Sequence, residues 1–272
     1  MKHTGHILTV DLEDWFHLLD NPETKRPEQW SKFESRIESN TDRLLTLFKK
    51  HKVRATFFVL GWVAENYPEL IIKIKEASHE IGCHSYSHPL IYDLSPKQFE
   101  DDLVRSLSAI TDAVGGTVLS YRAPGFSVPE SSEWFFEILS KNGIECDSSI
   151  FPAVRSHGGQ PGYPVHSYEI KTNYGVVKEY PISVTKILGH EFCFSGGGYF
   201  RLLPLWFISR QFIEFERKSM PVVTYFHPRD FDTDQPRLKL SKIRAFKTYC
   251  SLDKAYIKLD NLLCRYDFRP FN

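Results

Sequence analysis

Short apolar runs alternate along the chain with longer stretches of helical periodicity. The runs at 54–60 (RATFFVL) and 221–226 (PVVTYF) are rich in β-branched and aromatic residues and predict buried strands. Leu44, Leu45 and Phe48 form an apolar stripe that is typical of a helix packed on a core. The alternation of the two patterns predicts an α/β protein with a mostly parallel sheet covered by helices.

Local signals place the ends of several elements. Ser95 followed by a proline and by Gln98 predicts the start of a helix, which should end at Gly115 and Gly116. The strands predicted from the apolar runs lie at 6–10, 54–60, 80–83, 117–121, 144–148, 176–182 and 221–226. The other predicted helices lie at 37–50, 68–78, 129–142 and 204–218, with one or two amphipathic helices over 241–263. The prolines and glycines of 151–164 predict a loop.

The organisation of the chain predicts a single domain. Neither a shift in composition nor an internal repeat divides it. An α/β barrel and a doubly wound sheet both satisfy strand–helix alternation, and in both folds the reactive groups gather at the carboxyl ends of the strands. Polar clusters repeatedly follow the predicted strands, so we expect these clusters to meet at one edge of the sheet.

Charge and cysteine content narrow the partners and the compartment. Lys and Arg total 34 and Asp and Glu total 34, so the formal net charge of zero favours neither a nucleic acid nor a membrane surface. The five cysteines are scattered without a CxxC pair, which is typical of reduced thiols. No stretch approaches about 18 uninterrupted apolar residues, and the N-terminus lacks a signal-peptide pattern. We therefore expect a cytoplasmic protein without a membrane span.

Two clusters offer ligands for a metal ion. Asp11, Glu13 and Asp14 follow the first strand, and carboxylates this close repel one another unless a cation lies among them. A solvated acidic turn is the alternative. His84 and His88 follow the strand at 80–83, and two neutral imidazoles with a carboxylate make a catalytic zinc site. A polar loop that happens to contain two histidines is the alternative there.

Two further clusters offer a cation and a proton donor. Arg122 follows the strand at 117–121, where it could pair with a buried carboxylate, and the turn at Gly125 could present backbone N–H groups to an anion. His227 follows the strand at 221–226 and could act as a general acid near neutral pH. A structural turn and a structural histidine are the alternatives.

Together the clusters resemble the polysaccharide deacetylase family, the carbohydrate esterases built on the NodB homology domain. The resemblance spans roughly residues 5–230, and its most specific element is the full match to His-Ser-x-x-His at His84 to His88. The other matching segments are Asp11 with Asp14, Arg122-Ala123-Pro124, Cys146-Asp147-Ser148-Ser149 and Phe226-His227. Within the family the sequence is most similar to the subgroup encoded with exopolysaccharide or O-antigen biosynthesis genes.

The resemblance implies a fold, a cofactor and an activity. It implies a distorted (β/α) barrel of about seven parallel strands in one domain over 1–272, with a helical C-terminal extension over 232–272. It implies one divalent metal ion, usually Zn²⁺. The implied activity is hydrolysis of the N-acetyl group of a sugar carried on a glycan, a lipid or a nucleotide. The helices after 241 fit either a cover for the core or a dimer surface.

The resemblance also implies a role for each site residue. Asp14, His84 and His88 would hold the metal, with Glu13 as the competitor of Asp14. Asp11 would be the base. Arg122 and Asp147 would orient the base, and His227 would be the acid. The Gly125 N–H would bind the oxyanion. The rings that would stack on the sugar are Trp15, Phe126 and Tyr199. For the three rings, burial in the core is the alternative, and for the glycines at 196–198 a tight turn.

Two other functions fit the same residues. An allantoinase-like hydrolase would act on a small non-sugar amide at a site of this kind. A non-catalytic carbohydrate-binding or scaffold protein would keep the fold without the chemistry. The joint presence of Asp11, both histidines, Arg122 and His227 favours an enzyme over a scaffold, because a degenerate site usually lacks one of these groups.

Overall fold

The computed structural model describes residues 5–19, 21–155 and 157–271. Its strands are β1 (His6–Leu12), β2 (Thr56–Val59), β3 (Glu80–Cys83), β4 (Ser120–Tyr121), β5 (Cys146–Asp147), β6 (Tyr168–Thr172), β7 (Gly175–Glu179), β8 (Val184–Ile187), β9 (His190–Cys193), β10 (Val223–Phe226) and β11 (Phe268–Arg269). Its helices are α1 (Ile37–His51), α2 (Gly61–Asn66), α3 (Pro68–Glu76), α4 (Pro96–Val114), α5 (Glu133–Lys141), α6 (Gly197–Leu202), α7 (Leu205–Arg217), α8 (Lys242–Tyr249) and α9 (Leu252–Arg265).

One curled sheet organises the molecule as a half-barrel. The strand order is β10-β1-β2-β3-β4-β5-β7-β6, and β11 pairs with β1 beside this path. The pairings from β10 to β7 are parallel, and β6 pairs with β7 in the antiparallel sense. The predicted single α/β domain with a barrel-like parallel sheet is confirmed.

Strand β1 lies at the centre of this architecture. Its seven residues are all buried, because β10 and β2 flank it and helices cover the sheet. The threonine and the aspartate in its sequence, Thr9 and Asp11, are therefore held away from bulk solvent. Buried polar groups need partners. The chain thus delivers a carboxylate to the end of a fully buried strand.

Several predicted boundaries agree with the structure. Strand β3 has the predicted bounds, and α4 begins with the predicted cap, in which Ser95 accepts from the Gln98 backbone while the Gln98 side chain accepts from Ser95. Helix α4 ends at Gly115, whose φ of 63° suits a residue without a side chain. The amphipathic stretch over 241–263 forms two helices, and Ser251 between them has a φ of 51°.

Other elements carry too weak a local signal to be predicted. The hairpin of β8 and β9 turns at Leu188 and Gly189, both with positive φ, where asparagine or aspartate would have announced a tight turn. Strand β11 has only two residues, so 232–272 is not purely helical but returns to the sheet beside β1. No helix among the described residues combines the length and apolar character needed to cross a membrane.

Candidate active site

The carboxyl ends of four strands of the sheet converge on one cluster. Asp11 lies near the end of β1, and Glu13 follows it. His84 follows β3, Arg122 follows β4 and His227 follows β10. All but the half-buried His227 are at most 2% exposed. The expectation that the polar clusters meet at one sheet edge is met for these five residues.

Glu13 lies between the two histidines. Its Oε1 is 3.3 Å from Nε2 of His84 and 3.1 Å from Nε2 of His88. Burial alone would raise the pKa of Glu13, but the imidazoles of His88, His227 and His84 hold the pKa well below its ordinary value. Glu13 is therefore an ionised carboxylate that faces two ring nitrogens.

The tautomer of His84 indicates which kind of ligand this cluster can bind. Nδ1 of His84 is 2.7 Å from the Arg122 carbonyl oxygen, which can only accept, so Nδ1 carries the hydrogen. In the neutral ring Nε2 then directs its lone pair at the Glu13 carboxylate. Two acceptors that face each other require a proton or a cation between them. Two imidazoles, a carboxylate and a backbone carbonyl that orients one ring form the donor set of a catalytic zinc site.

The backbone between the histidines brings both rings to Glu13. Ser85 and His88 both have left-handed backbone, with φ of 67° and 60°. Non-glycine residues rarely adopt this conformation, which is found in ordinary turns and also clusters at functional sites. The hydroxyl of Ser85 accepts from the His88 N–H at 3.0 Å, and the first N–H of α2, at Gly61, donates to the Ser85 carbonyl. The strained turn is thus fastened to neighbouring structure.

Asp14 lies elsewhere, which corrects its predicted place in the ligand set. Its carboxylate accepts hydrogen bonds from the Trp15 N–H, the Ser35 hydroxyl and the N–H groups of Arg36 and Ile37, at 2.8 to 3.1 Å. It therefore caps a short turn and the start of α1. Along an extended chain every second side chain shares a face, so Glu13 lies on the side of Asp11 and Asp14 on the other.

Arg122 holds Asp11 from within the core. Its Nη1 donates to Asp11 Oδ1 at 2.7 Å and to the Thr9 hydroxyl at 2.6 Å. Its Nε and Nη2 donate to the carbonyl and the hydroxyl of Ser148, and its guanidinium lies 4.3 Å from the Phe58 ring centroid. A fully buried arginine with these contacts fixes the orientation of the Asp11 carboxylate. The expected pairing of Arg122 with a buried carboxylate is present.

Asp147 does not reach Asp11. Its carboxylate accepts from the N–H and hydroxyl of Ser149 and lies against Glu179. Burial raises the pKa of both acids, and the repulsion of Asp147 adds to the rise for Glu179, so the two share a proton. The residue of this segment that contacts Arg122 is Ser148. The predicted part of Asp147 in orienting the base is therefore not supported by a direct contact in the described residues.

His227 lies across the cluster from the histidine pair. Its Nε2 is 3.8 Å from Asp11 Oδ2 and 3.6 Å from Glu13 Oε1. Its Nδ1 is 2.8 Å from Oδ2 of Asp230, three residues later in a short turn. Burial lowers the pKa of His227, but the carboxylates of Glu13 and Asp230 outweigh it and the pKa is raised. Sequence reasoning missed Asp230, although His-x-x-Asp after a strand end was a usable signal.

Two other charged or polar residues border Glu13. Nη2 of Arg229 is 3.3 Å from Glu13 Oε2, so a cation stands against the oxygen that does not face the histidines. His17 accepts the Asp14 N–H at its Nδ1, and burial holds its pKa well below the ordinary value, so it is neutral. Neither residue was singled out from the sequence.

The predicted substrate residues lie mainly in the core, which corrects two of them. Trp15 is 7% exposed, and its Nε1 donates to the Glu34 carbonyl. Phe126 is 3% exposed and packs against the rings of Phe151 and Tyr225. Neither ring is free to stack on a sugar, so for both the alternative of core packing describes the structure.

The other predicted substrate contacts are more accessible. Tyr199 is half-buried, with its ring edge-on to Phe192 at 5.3 Å. Gly125 has a φ of 61° in the turn after Arg122, and its part in oxyanion binding stays a prediction. The glycine run is explained by packing, because a Cβ at Gly196 would lie 2.2 Å from the Tyr225 carbonyl oxygen.

Two family models match adjacent parts of the chain. Residues 21–146 match the model described as polysaccharide deacetylase. Residues 148–272 match a model described as a domain of unknown function, DUF3473. Strands from both parts belong to the one curled sheet, and both parts supply residues to the cluster. The boundary between the models is thus not a boundary in the fold.

Two curated relatives are peptidoglycan deacetylases. The chain is 38% identical over 113 residues to the peptidoglycan deacetylase of Helicobacter pylori, which covers 42% of this chain and 38% of the relative. It is 25% identical over 120 residues to the peptidoglycan-N-acetylglucosamine deacetylase of Bacillus cereus, which covers 40% of this chain and 44% of the relative. The chain thus matches less than half the length of either protein.

Solved structures share the fold over the whole chain. A proposed polysaccharide deacetylase from Mycobacterium smegmatis superimposes with a TM-score of 0.62 at 19% identity, covering 99% of this chain and 88% of the other. A pseudoenzyme of the CE4 family from Bacillus anthracis superimposes with a TM-score of 0.51 at 16% identity, covering 99% and 65%. Because the same fold includes a pseudoenzyme, activity has to be argued from the side chains of the site.

Proposed function

Because residues 21–146 form a polysaccharide deacetylase segment with peptidoglycan deacetylases among its relatives, we propose that this protein is a metal-dependent sugar N-deacetylase. The observation that carries the proposal is the position of Glu13. Its carboxylate lies within 3.3 Å of Nε2 of both His84 and His88, next to an arginine-held aspartate and an aspartate-held histidine. A non-catalytic scaffold needs none of this arrangement.

Glu13, His84 and His88 would hold the ion, with the Arg122 carbonyl fixing the tautomer of His84. A divalent ion of the zinc type, when bound there, lowers the pKa of a water ligand and polarises the amide carbonyl. Arg229 lies against Oε2 of Glu13, so only Oε1 is available to the ion. We propose Zn²⁺ as the native ion, because two imidazoles and one carboxylate suit it.

Asp11 is the proposed base and His227 the proposed acid. Arg122 occupies Asp11 Oδ1, which leaves Oδ2 toward the cluster to accept a proton from the attacking water. Asp230 holds Nδ1 of His227, so Nε2 faces the site and can donate a proton to the departing amine. The carboxylate of Asp230, which is not among the proposed ligands, favours the protonated ring of His227. Nε2 of His227 and Oδ2 of Asp11 lie 3.8 Å apart. A water beside Asp11 and a substrate nitrogen beside His227 can therefore lie next to each other in the site.

The substrate we propose is an N-acetylated sugar in exopolysaccharide or O-antigen biosynthesis. Similarity of the motifs to that subgroup supports the biosynthetic role, and the peptidoglycan relatives support the N-acetyl sugar. We also propose a cytoplasmic, reducing location. In its support, none of the five cysteines is in a disulfide.

The test is an acetate-release assay on the whole protein loaded with Zn²⁺. The panel would contain N-acetylated nucleotide sugars, lipid-linked glycans, exopolysaccharide oligomers and peptidoglycan fragments. Allantoin, a non-sugar amide whose hydrolysis releases no acetate, would be assayed separately by loss of the intact ring. We expect acetate from at least one sugar and no turnover of allantoin. Elemental analysis of the purified protein should find about one divalent ion per chain.

The matched control is the Glu13→Gln variant, which keeps the size of the side chain and removes its charge. Acetate release by the wild-type protein that does not exceed that of the variant on any sugar would refute deacetylation. Turnover of allantoin alone would instead indicate a small-amide hydrolase, and bound metal without any turnover would indicate a scaffold.

A further inference from the structure

The segment 148–272, whose family model carries no function, places a buried arginine behind the proposed acid. Arg201 lies near the end of α6 and is 4% exposed. A charge that deep requires partners on every side. The partners of Arg201 come from two distinct places in the fold.

The first partner is the carboxylate that holds His227. Nε of Arg201 is 3.3 Å from Oδ1 of Asp230, while Oδ2 of the same carboxylate is 2.8 Å from Nδ1 of His227. Burial would raise the pKa of Asp230, but the charges of His227 and Arg201 lower it strongly. One carboxylate therefore bridges two cations, and its position depends on both.

The second partner is the end of α8. Nη1 of Arg201 donates to the carbonyls of Thr248 and Cys250, both at 2.9 Å, and Nη2 donates to the Lys247 carbonyl at 3.0 Å. The last carbonyls of a helix have no partner within the helix, so three guanidinium bonds satisfy groups that would otherwise be orphaned. α6 approaches α8 closely here, since a Cβ at Gly198 would lie 3.1 Å from the Lys247 carbonyl oxygen.

The planar guanidinium suits this double contact. Arginine presents five donors in a fixed fork, so one edge can face a carboxylate while the other faces carbonyls. A lysine ammonium is a single point charge and cannot hold both partners in the same geometry. The side chain of Arg201 thus joins α8 to the turn that carries the proposed acid.

We propose that Arg201 is a positioning residue for His227: it fixes Asp230 against the end of α8, and Asp230 fixes the imidazole. This inference rests on the proposed function, since it assigns His227 its part as the acid. It gives the segment of unknown function a task, which is to supply the proton donor and the frame that aims it.

The test compares Arg201→Gln and Arg201→Lys with the wild-type protein. For Arg201→Gln we expect kcat to fall about 10–100-fold, as for residues behind a reacting group, with KM within about twofold and metal content unchanged. For Arg201→Lys we expect an intermediate loss. Asp230→Asn should lower kcat much less in the Arg201→Gln background than in the wild-type protein, because the two residues act as one unit. Arg217→Gln, at an exposed arginine of α7, is the matched control and should leave kcat unchanged.

A readout without turnover keeps the two proposals separate. In the wild-type protein, NMR should show the Nδ1 proton of His227 as a slowly exchanging, downfield signal that Arg201→Gln broadens or removes. If no substrate is turned over, the proposed function fails, and this signal still tests the positioning. Arg201→Gln or, should that variant not fold, Arg201→Lys with both the signal and kcat unchanged would overturn the inference. A loss of stability alone would overturn it as well.

Discussion

The segments 21–146 and 148–272 contribute to the site in different ways. The first supplies His84 and Arg122, each directly after a strand, and His88, four residues after His84, all within motifs of fixed spacing. The second supplies His227 directly after a strand, Asp230 three residues later, and Arg201, which meets Asp230 only through a side-chain contact. Sequence reasoning can therefore find the groups of the first segment and His227, whereas only packing brings Arg201 to them.

The difference suggests a division of labour. His84 and His88 of the first segment, with Glu13 just before it, form the proposed ligand set, so metal content should depend on them, and Arg122 of the first segment holds the base. The residues of the second segment form the proposed acid and its support, and metal content should not depend on them. Variants that separate metal content from turnover therefore test the comparison directly.

The largest expected effect is that of Glu13→Gln. Loss of the charged ligand should remove the bound metal and bring turnover to background, beyond the about 10²–10⁴-fold that a general acid contributes. Elemental analysis and acetate release measure both. Asp14→Asn should keep its metal. If Asp14→Asn lost the metal and Glu13→Gln kept it, Asp14 and not Glu13 would be the ligand.

The next effect is that of His227→Gln. Removal of the proton donor should lower kcat about 10²–10⁴-fold while the metal stays bound, because this side chain is not in the proposed ligand set. Steady-state kinetics with elemental analysis of the same sample measures it. Loss of metal together with activity would show that the second segment is part of the metal centre, and the comparison between the segments would fail.

A stability effect should follow Asp14→Asn. The amide would accept from the three donors at Oδ2 with a neutral oxygen, and its NH₂ group would then face the Trp15 N–H that Oδ1 now accepts, so the free energy of unfolding should fall by about 1–3 kcal/mol. Urea unfolding followed by circular dichroism measures the change. No change in the unfolding midpoint would mean that the cap on α1 contributes little.

The smallest effect concerns His79, a histidine of the first segment outside the cluster. Burial lowers its pKa to about 4, and its Nδ1 accepts the Ala55 N–H at 3.1 Å. In the unfolded chain its pKa is about 6.5. As the pH falls from about 6.5 to about 4, the unfolded chain takes up a proton that the folded one does not, so the free energy of unfolding falls. Above about pH 6.5 the contribution of His79 to this free energy is constant.

His79→Asn keeps an acceptor and removes the titration. The fall in unfolding free energy from pH 7 to pH 4.5 should be smaller in the variant, by less than about 2 kcal/mol since the ring is partly screened. Urea unfolding of both proteins at the two pH values measures the difference. An identical pH dependence would show that folding does not lower the pKa of His79. A perturbed histidine in this segment therefore need not belong to the site.

Much of the fold follows from local pattern. The bounds of β3, the capped start of α4 and the convergence of strand ends agree with prediction, because periodicity, caps and parallel strands act locally or by a general rule. Elements of a few residues, such as β11, carry no such signal. Their place depends on a neighbour that is distant in sequence.

The site was predictable only in part, for two physical reasons. Choosing Glu13 over Asp14 requires the register of one strand end to a single residue, and a shift of one residue exchanges the two faces. Arg201 reaches Asp230, the partner of His227, through a contact between elements that are distant in sequence, which spacing does not encode. The rings of Trp15 and Phe126 could equally have lined a groove, and only the packing shows them in the core.

The placement of β1 between β10 and β11 has a consequence for how the chain folds during synthesis. Thr9 and Thr224, 215 residues apart, are joined across β1 and β10, and β11 pairs with His6 and Ile7. Contacts of such long sequence separation slow folding, because a large loop must close before they form. The strand that bears Asp11 is thus synthesised long before β10 and β11, with which it pairs. We expect a nascent chain that lacks β10 to expose β1 and to depend on chaperones.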